Sequence, residues 1–384
     1  MTVTTWRGAT AIAQLAALEP FLQMAGAPVT ARSAWLIAAA RAEVGREPVL
    51  LAVWRDDACV AAACLSVRRR WGTTSVELMG SGRADHARLP AQDSAAAQAL
   101  ADAIVDLLHG FRTWRLRLTQ LPPDDSVSLA LSSRIVLRSD DGVGCPVTEV
   151  NHDVPLAGQL SVNGRKSVRK FTNRLEADGH QAVASWVTGN ATLRVLPEIQ
   201  ELRKARDHAV GRASEMDDPT ARGFHTELVT AYAGDNRLEL LRYHVDSVLA
   251  AYAIVVIDDL PDGRVLRVWD GRVASGYERY GVGWLTAVAV FERALADHSV
   301  RQIDWMRGEH ENKQRIATGV LNSVVLAGES APWLTRWDAL SRLATETVLG
   351  AARRLVPPEK RYRLRALVTR TKPDDQRDAS PATR

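Results

Sequence analysis

Four carboxylates and a glycine pair fall close together in RVLRVWDGRVASGYERYGVGWLTAVAVFERALADHSVRQIDWMRGEHENKQRIATG, residues 264–319. Asp270, Asp304, Glu309 and Glu311 stand at or just beyond the ends of two apolar runs. Any of them could take a proton from an attacking amine, directly or through water, and each could equally serve as a cap or a surface charge. The pair Gly281 and Gly283 directly precedes an apolar helical pattern. Glycine lets the main chain approach a ligand closely. The unpaired N–H groups of a helix start, with the positive end of its dipole, suit phosphate or another oxyanion. Two plain turn residues would read the same way.

The elements that must position these groups follow from the pattern. Arg264 to Trp269 alternate and are rich in β-branched and aromatic residues, which predicts a strand ending near Asp270-Gly271. A loop carrying Arg272, Arg279 and Tyr280 leads into Gly281-Val282-Gly283. Trp284, Val288, Phe291 and Leu295 then recur at helical spacing. A second strand, Val300 to Trp305, comes soon after, so it is expected parallel to the first with the helix crossing right-handedly. Its carboxyl end delivers Asp304 and Arg307, where ligands of open α/β sheets bind.

The order Trp269-Asp270-Gly271, then Tyr280-Gly281-Val282-Gly283-Trp284, then Asp304-Trp305-Met306-Arg307-Gly308 and Lys313 resembles the acyltransferase domain of cellulose-biosynthesis CelD-like proteins, a branch of the GNAT N-acyltransferase superfamily. It is more distantly similar to the FemAB aminoacyltransferases, which carry two GNAT-like domains. The family usually has Tyr-Ser-Pro-Gly at the loop and a tyrosine before the lysine. Here Asn312 replaces that tyrosine, and Glu278 stands where acyl-CoA enzymes prefer Arg or Gln, with Arg279 beside it. The resemblance implies that Arg279, Tyr280, Gly281, Val282, Gly283 and Trp284 hold acyl-CoA, and that Lys313 steadies developing negative charge. It also implies that the thioester lies between two splayed strands, and that Asp85, His86, Trp269 and Arg307 face the substrate.

The chain has 384 residues, 46% hydrophobic and 24% charged, enough for two cores. Residues 50–62 are echoed by 240–251, and the echo continues at an offset of 190: Leu78-Met79-Gly80 matches Val268-Trp269-Asp270, and a helix at 95–108 matches that from Trp284. This predicts two copies of one domain. With the resemblance, the expected fold is α/β (α+β): tandem GNAT-like domains, each a mixed, partly antiparallel twisted sheet flanked by helices, over 1–150 and 151–350. A basic, partly disordered tail should follow over 351–384. The first copy has Arg88-Leu89-Pro90-Ala91 at the loop and no glycine pair. The second copy is therefore expected to hold the donor, with the first as a wall of the acceptor site or a structural partner.

Further segments read as two helices within 13–44 with Thr30 or Ser33 as caps, a turn at 258–263, helices at 196–213 and 224–233, and a helix after Pro332. Between Ser161 and Gly179, Val168, Phe171 and Leu175 form a narrow apolar edge of a basic helix. Its Arg165, Lys166, Arg169 and Lys170 suit either a solvated face or a grip on phosphate or RNA, and this helix also resembles the CelD-like family. Cys59, Cys64 and Cys145 are too few and too badly spaced for a disulfide framework or structural zinc, and Cys59 and Cys64 lie in an apolar run as buried thiols. No metal-ligand cluster, Ser-His-Asp order or Walker loop is visible, and no metal is expected. The longest apolar run, Val248 to Ile257, is half of the ~20 residues a membrane helix needs, and no secretory leader is recognised at the start. A soluble, cytoplasmic protein is expected. Residues 351–384 carry ten Lys or Arg against four acidic residues, so the net +4 belongs to the tail.

Amide formation from an activated acyl group needs a held carbonyl, a deprotonated amine and a water-poor cleft. The expectation is an N-acyltransferase that moves an acyl group, such as acetyl, from acyl-CoA to an amine of a small metabolite or sugar. The rival is an aminoacyltransferase drawing on charged tRNA, which the basic helix and tail favour. A non-enzymatic scaffold is the third possibility. Nothing points to DNA.

Overall fold

In a computed structural model, the structure describes residues 1–308 and 311–331. The first half runs β1 (Thr2–Arg7), α1 (Gly8–Met24), α2 (Ser33–Ala42), β2 (Glu47–Arg55), β3 (Ala58–Arg70), β4 (Thr73–Leu78), α3 (Ser94–His109), β5 (Trp114–Leu121), α4 (Ser126–Ser132) and β6 (Arg138–Asp141). Then come β7 (Cys145–Glu149), α5 (Leu156–Gln159), α6 (Val162–Ala177), β8 (Ala182–Thr188), α7 (Ala191–Ala209), α8 (Pro219–Gly234), β9 (Leu238–Val245), β10 (Val248–Leu260), β11 (Gly263–Val273), α9 (Val282–Leu295), β12 (Val300–Asp304), α10 (Glu311–Ile316), β13 (Gly319–Leu321) and β14 (Val324–Glu329).

Two mixed sheets result, ordered β1-β2-β3-β4-β5-β14-β6 and β13-β7-β12-β11-β10-β9-β8. In each, one neighbouring pair is parallel, β4 with β5 and β11 with β12, joined by the crossover helices α3 and α9. Strands β1 to β5 thus repeat as β8 to β12, and the repeat reaches the turns. Asp56-Asp57 and Asp246-Ser247 both sit at positive φ, between 50° and 66°, the backbone of a two-residue hairpin turn. The sheets also trade strands. β7 precedes residue 150 yet pairs with β12, and β14 returns from the far end of the chain to pair with β5 and β6. A boundary at 150 cuts across this exchange.

Apolar faces explain the layers. In the first half α3 packs on one sheet face with Leu51, Val53, Val76 and Leu116, while α1 packs on the other with Leu50 and Ala52, as strand alternation requires. In the second, Trp284, Val288 and Phe291 of α9 cover Val255, Leu266 and Ile303. The two halves fuse where Trp35 of α2 packs with Phe224 and Leu228 of α8 and Tyr252 of β10.

Three local expectations are corrected. β11 does not stop at Asp270-Gly271 but runs to Val273, because pairing with β10 continues to Ala251 opposite Val273 around a bulge that leaves Trp269 unpaired. Asp258 and Asp259 lie in β10 rather than in a turn. Neither Thr30 nor Ser33 caps α2. Arg32 holds the cap position, the Thr30 hydroxyl donates to the His86 carbonyl at 2.6 Å, and the Ser33 hydroxyl to Glu19 at 2.6 Å. The helix expected after Pro332 and the basic tail lie outside the described residues.

Candidate functional site

The parallel pairing of β11 and β12 ends at Arg267 opposite Asp304, where β12 stops, and β11 continues to Val273 paired with β10 only. The two strands therefore part at the level of the Trp269 bulge. In the first half β4 and β5 part after Glu77 opposite Arg117, and there the Ser81 and Thr119 hydroxyls, 3.2 Å apart, line a cavity together with Gly80, Ala84 and Pro90.

Beside the second opening lies a buried ladder of charge. Arg32 pairs with Asp258, Asp258 accepts from Arg267 Nε at 2.7 Å, and the other end of the Arg267 guanidinium donates to Asp304. The rungs come from β10, β11 and β12 in order, and the first half closes both ends. Arg32 does so at one end, and at the other the His86 Nε2 lies 2.6 Å from Asp304. Burial alone would raise the Asp304 carboxyl, but His86, Arg267 and the Met306 amide at 2.8 Å outweigh it and hold it well below the usual carboxylate range. Asp304 is thus a fixed anion, and His86 is the group of the pair that reaches partial exposure. Sequence reading missed this ladder, since a lone Arg or Asp in an apolar strand shows no partner. The one signal was inward-facing Arg267 and Asp258 amid β-branched neighbours.

Asp85 and Arg307 meet, with Arg307 Nε 2.7 Å from the carboxylate and the Arg307 amide donating to it at 3.1 Å. Burial pushes the Asp85 carboxyl up against that pull. Lys313 extends back to donate to the carbonyls of Arg307 at 2.8 Å and Met306 at 3.3 Å, and burial lowers its ammonium pKa although Asp85 and Asp304 oppose the shift. His86, Cys145 and Asp304 bring nitrogen, sulfur and oxygen within 4.8 Å of one another, the donor set of a metal centre. Fixed charge on Arg267 and Lys313 next to it opposes a divalent cation there.

Asp270, expected among the proton acceptors, is built in differently. Tyr252 donates to it at 2.7 Å, Arg203 at 3.2 Å and Arg272 at 3.0 Å. Burial is overridden by these arginines, which keep its carboxyl far below the ordinary range. It anchors α7 to β11 and has no oxygen to spare as a base. Trp269 stacks on His225 at 4.8 Å and meets Trp35 edge-on at 5.5 Å, so it is a packing residue of the seam between the halves. Glu309 lies outside the described residues.

The glycine loop divides. Gly281 takes φ 58° and ends a short turn, Glu278–Tyr280, just before α9. The amides of Tyr280, Gly281 and Trp284 are satisfied by the loop itself. Those of Val282 and Gly283 make no backbone hydrogen bond among the described residues, and no side chain caps α9. Val282 has no exposed surface, so the half-buried Gly283 amide is the donor that an anion can reach. Phe171 of α6 fills the space over Gly281, where an added Cβ would lie 2.3 Å from its ring. Glu278 accepts from the Gly276 amide at 2.8 Å and pairs with Arg206, so the loop carries its own carboxylate. Arg279 and Tyr280, expected to contact the donor, turn to Asp178 instead, at 2.7 and 2.9 Å. Trp284 is buried against Gly164 of α6.

On α6, Ser161 caps the Gly164 amide at 3.0 Å. Arg165 is spent on the Ala157 and Leu160 carbonyls, at 2.8 and 2.7 Å. Lys166, Arg169 and Lys170 are exposed.

Residues 163–314 match the family model described as acetyltransferase (GNAT) domain. No curated protein matches the chain. Among solved structures it is similar to FemX, at 10% identity over 85% of this chain and 97% of that one, with a TM-score of 0.58. L-PGS from Bacillus licheniformis follows at 11% identity over 85% and 96%, TM-score 0.52. A conserved protein of unknown function from Bacteroides thetaiotaomicron gives 10% over 82% and 97%, TM-score 0.50. At such identities the likeness is one of fold. The matched domain supports a transferase, and the two halves of the chain share one sheet topology. Among the described residues no helix is long and apolar enough to cross a membrane.

Proposed function

We propose that the protein is an N-acyltransferase that joins an acyl group from acyl-CoA to an amine of a small metabolite or sugar, at the opening between β11 and β12. The observation that carries this is the placement of His86 and buried Asp304 at the point where the strands part, downstream of the unclaimed Gly283 amide of α9. Acyl-CoA, when bound, supplies the activated carbonyl, and CoA leaves as the thiolate. The half-buried Gly283 amide would hold one of its phosphates. His86 takes the proton as the amine attacks, and Asp304, kept ionised by Arg267, orients the ring and steadies its positive charge. Lys313, drawn into the same pocket, places a cation near the developing oxyanion. Because His86 comes from the first half, the acceptor enters along that half.

A second reading has its own support. Phe171 and the Glu278 carboxylate narrow the phosphate cradle, and Lys166, Arg169 and Lys170 stand exposed on the adjoining helix. An aminoacyl group carried by tRNA would use those cations, and FemX shares the fold. Thermal unfolding with acetyl-CoA and longer acyl-CoAs separates the two. Protection that Gly283→Asp abolishes supports the first, whereas tRNA binding that falls steeply with salt, without CoA protection, supports the second. Under the first reading His86→Gln lowers amide formation by roughly 10²- to 10⁴-fold while CoA protection persists. Unchanged turnover would remove His86 from the reaction.

A further inference from the structure

We propose that the β3–β4 hairpin docks this protein on an anionic lipid surface. Trp71 and Gly72 form the whole turn, since Arg70 pairs with Thr73, and both have positive φ, 48° and 76°. Such turns prefer Asn, Asp or Gly at the first position, and a bulky aromatic there is a backbone outlier. Among the described residues, two other hairpins of this type use Asp56 and Asp246, and the matching turn of the second half is Pro261-Asp262. Folding gives no return for the tryptophan, because its side chain is 86% exposed. Strained residues persist where function holds them.

The surroundings indicate the partner. Arg70 lies 4.3 Å over the Trp71 ring, and Arg69 5.6 Å over Phe111. Arg112 is exposed in the next loop, tied to the hairpin by the Thr74 amide on the Thr113 carbonyl at 2.9 Å. None of these three arginines forms a salt bridge among the described residues. Val44, 85% exposed, belongs to the loop entering β2 at the same sheet end, where Glu47 pairs with Val67. A protruding tip with two bare apolar groups and unpaired guanidinium groups offers no groove for a peptide. It suits a soft interface in which an indole sits at headgroup depth and arginines meet lipid phosphates. The tip is at the start of β4, the opposite end from Gly80 to His86, so docking leaves the acyl-transfer opening uncovered.

Co-sedimentation of the full chain with phosphatidylcholine vesicles, with and without phosphatidylglycerol, tests this. Binding should require the anionic lipid and weaken with salt. Arg69→Glu and Arg70→Glu should each lower it by about fivefold or more. Trp71→Asn should lower it several-fold while raising the thermal midpoint, since Asn-Gly suits the turn. Variants that bind vesicles like the parent would overturn the proposal, as would equal binding to both vesicle types. Loss of tRNA binding in the same variants with vesicle binding intact would make the partner RNA and also overturn it.

Discussion

Gly281→Ala should destabilise the protein by about 2–5 kcal/mol, and Phe171 should be the reason for most of it. Holding a side-chain-bearing residue at φ 58° costs about 1 kcal/mol or somewhat more. The added methyl would also lie 2.3 Å from Phe171 Cδ2 and Cε2, well inside any real contact. Phe171 cannot simply swing away, because it packs beside Leu175, Tyr280 and Val282, and overpacking of this kind costs roughly 1–3 kcal/mol. Urea unfolding of the parent, Gly281→Ala, Phe171→Ala and the double variant gives the cycle. The double variant should lose less than the two singles together, by about 1–3 kcal/mol. Strictly additive losses, or a Gly281→Ala protein as stable as the parent, would show that α6 does not close over the loop. The narrowed cradle would then be unfounded.

Two further outcomes follow from burial and charge. Asp270→Asn removes the buried anion shared by Arg203, Arg272 and Tyr252, leaves Arg203 with Glu215 alone, and should cost up to roughly 3–5 kcal/mol near neutral pH. Because the folded carboxyl is held below its unfolded value, its stabilisation is present above about pH 4 and is lost as pH falls toward the folded value. The gap between parent and variant in urea unfolding should therefore narrow on acidification below pH 4, and a gap independent of pH would contradict the pairing. Burial pushes the Cys59 thiol up to about 11 and the Cys64 thiol up to about 12. Ellman's reagent at pH 8 should label them slowly in the native protein and fast in denaturant, and equal rates would place them at the surface.

Much of the architecture was legible in the residues. Alternation marked β11, the echo of 50–62 at 240–251 with its offset of 190 announced the duplication, and the spacing of Trp284, Val288 and Phe291 marked the face of α9 that is buried. These are local signals, carried by a residue and its near neighbours in the chain. The length of β11 was misjudged because a bulge depends on the partner strand, and Asp258 was read as turn because its arginines stand elsewhere in the sequence.

The sequence alone determined which groups were present: the His86 ring, the Asp304 carboxylate, the paired glycines and the basic run of α6. Only tertiary structure decided their employment. It set His86 against Asp304 across 218 positions of chain, committed Asp270 to Arg203 and Arg272, and laid Phe171 over Gly281. The reason is physical. A carboxylate's oxygens can satisfy only a few donors, and which donors arrive depends on strand order and on two halves meeting, which no window of sequence contains.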